Sequence, residues 1–291
     1  MSAPEVRSLL KECYADFCRV ALSDAGYSID GLDPSSLILA YYSVLHRSIE
    51  ARPRKVLRAA YETPKHLLEG EKILLQKVEE GEPLRPNQSR KLEKRLYDDA
   101  MFNDWGVHHF HLGTVPDTKN SRIVRGTEEI LFATVTENDF YAIGIFGHDS
   151  WTEESVLNIV HENWPELLES FVVREIIFPE SNSHEGSNLP RQAGVNAVSK
   201  RYDGTIHMSP GGGVTCSGHS ERILDSLMKL DRDFRHIEKN VPAEFASIGN
   251  ELSELESVTF RLAKCAAGIE VFIDELPNIR FSVNFISVPK I

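Results

Sequence analysis

The sequence is poor in cysteine and contains no complete catalytic motif. Its four cysteines, Cys13, Cys18, Cys216 and Cys265, follow neither CxxC nor Cys/His zinc spacing, so they read as reduced thiols that fill the interior. A disulfide framework and a zinc ribbon are thereby excluded. HExxH, GxSxG, GxGxxG and the phosphate-binding GxxxxGK[ST] are all missing. No apolar run approaches the roughly 20 residues that span a bilayer. The opening MSAPEVRSLLKECYADF is charged within a few residues and lacks the apolar core of a signal peptide. A cytoplasmic chain without a membrane partner is the expectation. No repeat of 20–50 residues and no low-complexity segment is evident.

Positive charge is also scarce, and unevenly so. Of the formal charge of −12, the first 100 residues contribute nothing, with 16 Lys and Arg against 16 Asp and Glu. The remainder holds 16 against 28 and carries the whole deficit. An acidic surface repels polyphosphate, so RNA would have to meet the N-terminal part, where Arg52, Arg54, Lys55, Arg58, Arg90, Lys91, Lys94 and Arg95 would form a basic patch if their helices are neighbours. The acidic C-terminal part would instead suit a protein partner.

What is present reads as an α+β protein: N-terminal helices, a central antiparallel β-meander, and a C-terminal β-hairpin plus helices. Apolar residues at Val6, Leu9, Leu10, Cys13, Tyr14, Phe17 and Val20 predict a helix over 5–24. Asp33 or Ser35 caps a second, "SLILAYYSVLHRSIEA". "RPRKVLRAAYE", "PKHLLEGEKILLQKVEEG" and "NQSRKLEKRLYDDAMF" read as three more. "WGVHHFHLG", "EEILFATV" and "FYAIGIF" are strands, the last two joined as a hairpin across Thr136–Asp139. "TEESVLNIVHENWPELLESF" returns to helix with Thr152 as its N-cap. Asp203-Gly204 marks a second hairpin. "ERILDSLMKLDRDFRHIEKN" and "AEFASIGNELSELESVTFRLAKCAAG" read as helices parted by Pro242, and "IRFSVNFISV" as a closing strand. The expected division is a helical part over 1–100, the meander and its helix over 101–180, and an acidic β-plus-helix unit over 185–291, unless all three form one compact domain.

The densest chemistry is in "DWGVHHFHLG". Strand alternation places His108 with Phe110 and Leu112, and His109 with His111 on the other face, their Cα atoms roughly 6–7 Å apart. His148 ends the meander's third strand, and the loop between the first two offers Arg122 and Arg125. One reading is a solvated strand face. A second makes His109, His111 and His148 the ligands of zinc or manganese, which would meet the three-ligand requirement of a catalytic centre. A third needs no cofactor: RNA cleavage by a 2′-hydroxyl takes a base, an acid and a cation on the phosphate, and His109, His111, His148 and Arg125 are of those types.

Helices followed by "HHFHLG … RGTEEILFATV … FYAIGIFGH" resemble the RelE/YoeB-type toxins, metal-independent mRNA interferases, over residues 85–150. Gly113, Arg125 and His148 match that pattern of a strand ending in Gly, an Arg before the second strand and a His near the end of the third. The chain departs from it in being three times longer and acidic, in having Asp149 where a basic residue is expected, and in its long first inter-strand loop. "DWGVHHFHLG" together with "SPGGGVTCSGHS" also resembles a bacterial protein family, a likeness that carries no function. The resemblance to the toxins implies a ribonuclease of toxin or bacterial-defence type, with Arg125 on the phosphate and His148 completing the site. The alternatives are a metal-dependent hydrolase using the same histidines, and a non-catalytic protein-interaction module.

A second segment, "SPGGGVTCSGHSERIL", places Gly211, Gly212 and Gly213 after a strand and Ser220 at a helix start. It reads as a tight β-to-α connection with Ser220 as N-cap, as an anion cradle of backbone N–H groups joined by Arg122, or as a Ser/His pair built on His219.

Overall fold

The computed structural model describes residues 5–148, 155–173, 199–200, 204–244, 255, 257–266, 268–283, 286 and 291. The fold is α+β, and the chain divides into two units. One comprises residues 1–46, 94–96 and 223–291, the other 47–93 and 97–222. This cuts across the three-part division expected from composition, because strands far apart in sequence pair with each other.

In the first unit, β1 (Glu5–Ser8) runs parallel to β8 (Ser257–Cys265), which continues antiparallel into β9 (Gly268–Ile273) and β10 (Leu276–Val283). Helices α1 (Leu10–Asp24), α2 (Pro34–Arg47) and α6 (Glu221–Glu244) supply Tyr14, Leu22, Leu37 and Phe234 to a core shared with Phe260 and Val271. The helix expected from residue 5 begins only at Leu10, the first four residues being drawn into the sheet. Asp33 caps α2 as expected, its Oδ1 accepting from the Ser35 and Ser36 amides at 2.8 and 3.2 Å.

Two expectations in this unit are corrected. The segment read as helix over 257–265 is β8, in which Val258, Phe260 and Leu262 alternate as buried residues. Its period of two outweighs its helix formers. Helix α6 runs past Pro242, which falls in its last turn and forfeits a single backbone bond there. The expected helix over 245–254 lies outside the described residues.

The second unit holds the expected meander. β3 (Val107–His111), β4 (Glu129–Val135) and β5 (Asp139–Gly147) pair antiparallel, and Thr136 N–H donates to the Asp139 carbonyl at 2.9 Å in the hairpin turn. A fourth strand, β2 (Lys55–Arg58), adds parallel to β5 where a helix was expected. Its cations explain the difference. Buried Arg54 donates to the carbonyls of Thr136, Glu50 and Arg52, Arg58 binds the buried carboxylate of Glu71, and Arg52 pairs with the exposed carboxylate of Glu137. These guanidiniums serve as structural donors within the unit.

Both faces of this sheet are covered. Helix α3 (Leu68–Glu80) sends Leu74 and Val78 against Phe110, Leu131 and Phe140. Helix α5 (Ser155–Asn163) packs Val156 and Val160 on the opposite side with Val107, Ile130, Phe132 and Trp105. Burying each such side chain contributes about 1.5–3 kcal/mol. The expected Thr152 cap of α5 lies outside the described residues.

The helix expected over 87–102 is instead two 3-10 turns, Arg85–Asn87 and Arg90–Glu93, and the short α4 (Ala100–Trp105). Arg47 takes the carbonyls of Leu92 and Tyr97, which a continuous helix would have used itself. β6 (Ser199–Lys200) and β7 (Ile206–His207) pair antiparallel, with Gly204 at φ 87° between them, while Asp203 lies outside the described residues.

A histidine cluster as candidate active site

Alternation along β3 separates its three imidazoles as expected. His108 is buried and stacks on Phe102, with ring centroids 4.2 Å apart. His109 and His111 point to the other face, where His148, just past the end of β5, joins them. The His148 ring centre lies 6.5 Å from that of His109 and 5.1 Å from that of His111. The sheet thus gathers residues from two strands that are separated by β4.

Helix α4 supplies the partner of His109. Asp99 is its N-cap, with Oδ1 accepting from the Phe102 amide at 3.2 Å and Oδ2 lying 3.6 Å from His109 Nδ1. Gly106, at φ 70°, closes α4 and turns the chain directly into β3. One carboxylate therefore caps the helix and faces an imidazole ten residues later. The carboxylate thus places negative charge beside the Nδ1 edge of His109.

Thr127 organises the other two rings. Its N–H donates to His111 Nδ1 at 3.1 Å, its carbonyl lies 3.2 Å from His148 Nε2, and its hydroxyl accepts from the Leu112 N–H at 3.2 Å.

A cleft of about 440 Å³ opens beside the cluster. Lys91, Tyr97, Asp98, Asp99, His109 and His148 give it polar walls, and Met101, Ile130 and Phe132 its apolar part. Its size and mixed lining suit a small organic ligand or one nucleotide. Burial holds the His109 imidazole below its ordinary value against the pull of Asp99, with His148 and Lys91 adding to the depression. Burial, with His148 and His109 close by, pushes His111 down to about 4. Burial also raises Asp98, whose Oδ1 accepts from the Asn103 amide. His109 and His111 are therefore both biased toward the neutral imidazole, the form that accepts a proton.

Of the residues expected from sequence, His109, His111 and His148 come together. Arg125 does not join them. It is exposed, does not line the cleft, and its backbone N–H pairs with Val115. The cation in the cleft is Lys91, and Arg90 also acts on His111 while pairing with Asp117 at 2.8 Å. Arg122 is exposed beside Glu93 at 3.7 Å.

The anion cradle is also corrected. Gly211 and Gly213 donate their N–H groups to the carbonyls of Asp104 and Asn103, and Gly212 donates to that of Ser209. Ser220 is fully buried. Gly211 is there because the backbones touch, a Cβ on it lying 2.2 Å from the Phe102 carbonyl oxygen, and Gly212 and Gly213 because their φ is 98° and 88°. The segment is a brace on the end of α4. The Ser217 hydroxyl bonds that of Thr215 at 2.9 Å, and the Thr215 amide donates to the His219 carbonyl at the same distance.

The metal-ligand arrangement is not formed either. Among the described residues, no group of three or more His, Cys, Asp or Glu side chains is placed to hold a metal ion. Two of the histidine nitrogens are engaged by Thr127 and a third faces Asp99. Among the described residues no helix is long and apolar enough to cross a membrane.

Sequence reasoning missed Asp99, Thr127 and the role of Lys91. Asp99 carried a signal, an acidic residue three positions before Phe102 at the start of an apolar turn. Thr127 acts on the two rings through its backbone and carried none. Comparison of the chain with protein-family models, curated proteins and solved structures finds no match.

Proposed function

We propose that the cluster is a metal-independent acid–base site that cleaves RNA. The observation that carries this reading is the placement of His109, oriented by Asp99, and His148 in one cleft with Lys91. In the reaction the 2′-oxygen attacks the adjacent phosphorus and gives its proton to the neutral imidazole of His109. The bond from phosphorus to the 5′-oxygen breaks, and protonated His148 donates to that leaving oxygen. The products are a 2′,3′-cyclic phosphate and a 5′-hydroxyl, with one proton taken up and one released. Lys91 supplies the cation for the phosphate, in place of Arg125, and the apolar part of the cleft can seat a base.

The test is incubation of a short RNA with the purified protein in excess chelator. The wild type should cut it, and His109→Ala should lose about 100-fold or more, as expected for removal of a general base. No cutting by the wild type, or equal cutting by the variant, overturns the reading.

A further inference from the structure

We propose that Thr127 is a positioning residue that divides labour within the cluster, withdrawing His111 from proton transfer and presenting His148 for it. The geometry is that of two backbone groups with fixed polarity. A backbone N–H can only donate, so the N–H of Thr127, 3.1 Å from His111 Nδ1, requires that nitrogen to carry a lone pair. The proton of neutral His111 is then on Nε2. A carbonyl can only accept, so the Thr127 oxygen, 3.2 Å from His148 Nε2, requires a proton there. The lone pair of neutral His148 is then on Nδ1.

Both rings thus adopt the same tautomer but turn opposite ends toward Thr127. His111 directs its basic nitrogen inward, where it is occupied. His148 directs its N–H inward and turns its basic nitrogen away from Thr127. Only His148 and His109 line the cleft, in agreement with that division. His111 is then a neutral strut whose Nδ1 holds the Thr127 backbone in place, and Thr127 in turn aims His148.

On this assignment the acid–base pair is His109 with His148, and His111 stands outside it. It rests on the ribonuclease reading only for the identity of the reaction; the tautomers are properties of the free protein.

Two measurements test it. Long-range ¹H–¹⁵N correlation spectra of the free protein at pH 7 should show both His111 and His148 with the proton on Nε2. Asn places its carbonyl oxygen where His has Nδ1, so His111→Asn should keep the acceptor for Thr127 while His111→Ala loses it. In His111→Asn the His148 signals should be unchanged and RNA cleavage within about 5-fold of wild type. In His111→Ala the His148 tautomers should mix and cleavage fall at least 10-fold further. A proton on Nδ1 of His111, a charged His111 at pH 7, or equal loss of cleavage in both variants overturns the proposal. Should the wild type not cut RNA while the tautomers are as stated and His148 responds to Ala but not Asn, the assignment of Thr127 stands and the ribonuclease reading fails.

Discussion

Replacing His111 by Asn and lowering the pH from 7 to 5 isolates one ionisation in the stability of the second unit. In the folded protein this imidazole titrates at about 4, held down by burial and by the nearby His148 and His109, with Arg90 also disfavouring its charge. In the unfolded chain it should titrate near 6.5. The unfolded state therefore takes up the proton first as pH falls. Stability is lost through the window from about 6.5 to about 4 and is flat below it. Linkage over that gap gives a loss of about 2 kcal/mol between pH 7 and pH 5 from this side chain alone. The variant lacks that contribution and keeps the titration of the other groups. Its stability should fall by about 2 kcal/mol less than that of the wild type over the same interval. Urea unfolding followed by tryptophan fluorescence measures this directly, since Trp105 and Trp164 are buried in the core of this unit. Parallel losses in the two proteins, within about 0.5 kcal/mol, would refute the buried neutral state assigned to His111.

Asp99 has two separable roles. Asp99→Ser keeps a capping oxygen and should hold the urea midpoint near wild type while slowing RNA cleavage at least 10-fold. Asp99→Ala should do both kinds of damage, with a further loss of about 1 kcal/mol from the missing cap; equal stability of the two variants contradicts the capping role. Gly211→Ala drives a methyl group into the Phe102 and Asn103 carbonyls and should cost at least about 2 kcal/mol in the same unfolding assay. Gly204→Ala meets nothing within 4 Å and should cost only about 1 kcal/mol, for its left-handed backbone. If the Gly211 variant is the milder of the two, the brace on α4 is not as described.

The parts of this molecule that were legible in its sequence are those written as side-chain periodicity. Alternation in VHHFH separated His108 from His109 and His111, and the β-branched runs fixed three strands and their order. What escaped was written in the backbone or in distant partners. β2 reads as a basic helix because nothing local shows that Arg54 will be buried among carbonyls. β8 pairs with a strand about 250 residues earlier, and only that pairing accounts for the short β1. Thr127 looks like any loop residue, yet its N–H and C=O set two imidazoles. The triple glycine suggested an anion cradle by composition, whereas its N–H groups were already committed to carbonyls.

Cleavage by His109 and His148 without a metal leaves its signature on the ends of the product. Mass spectrometry of RNA cut in excess chelator should find 2′,3′-cyclic phosphate and 5′-hydroxyl ends, absent with His109→Ala. Intact RNA under chelation, or 3′-hydroxyl and 5′-phosphate ends made only after manganese or zinc is added, would contradict it.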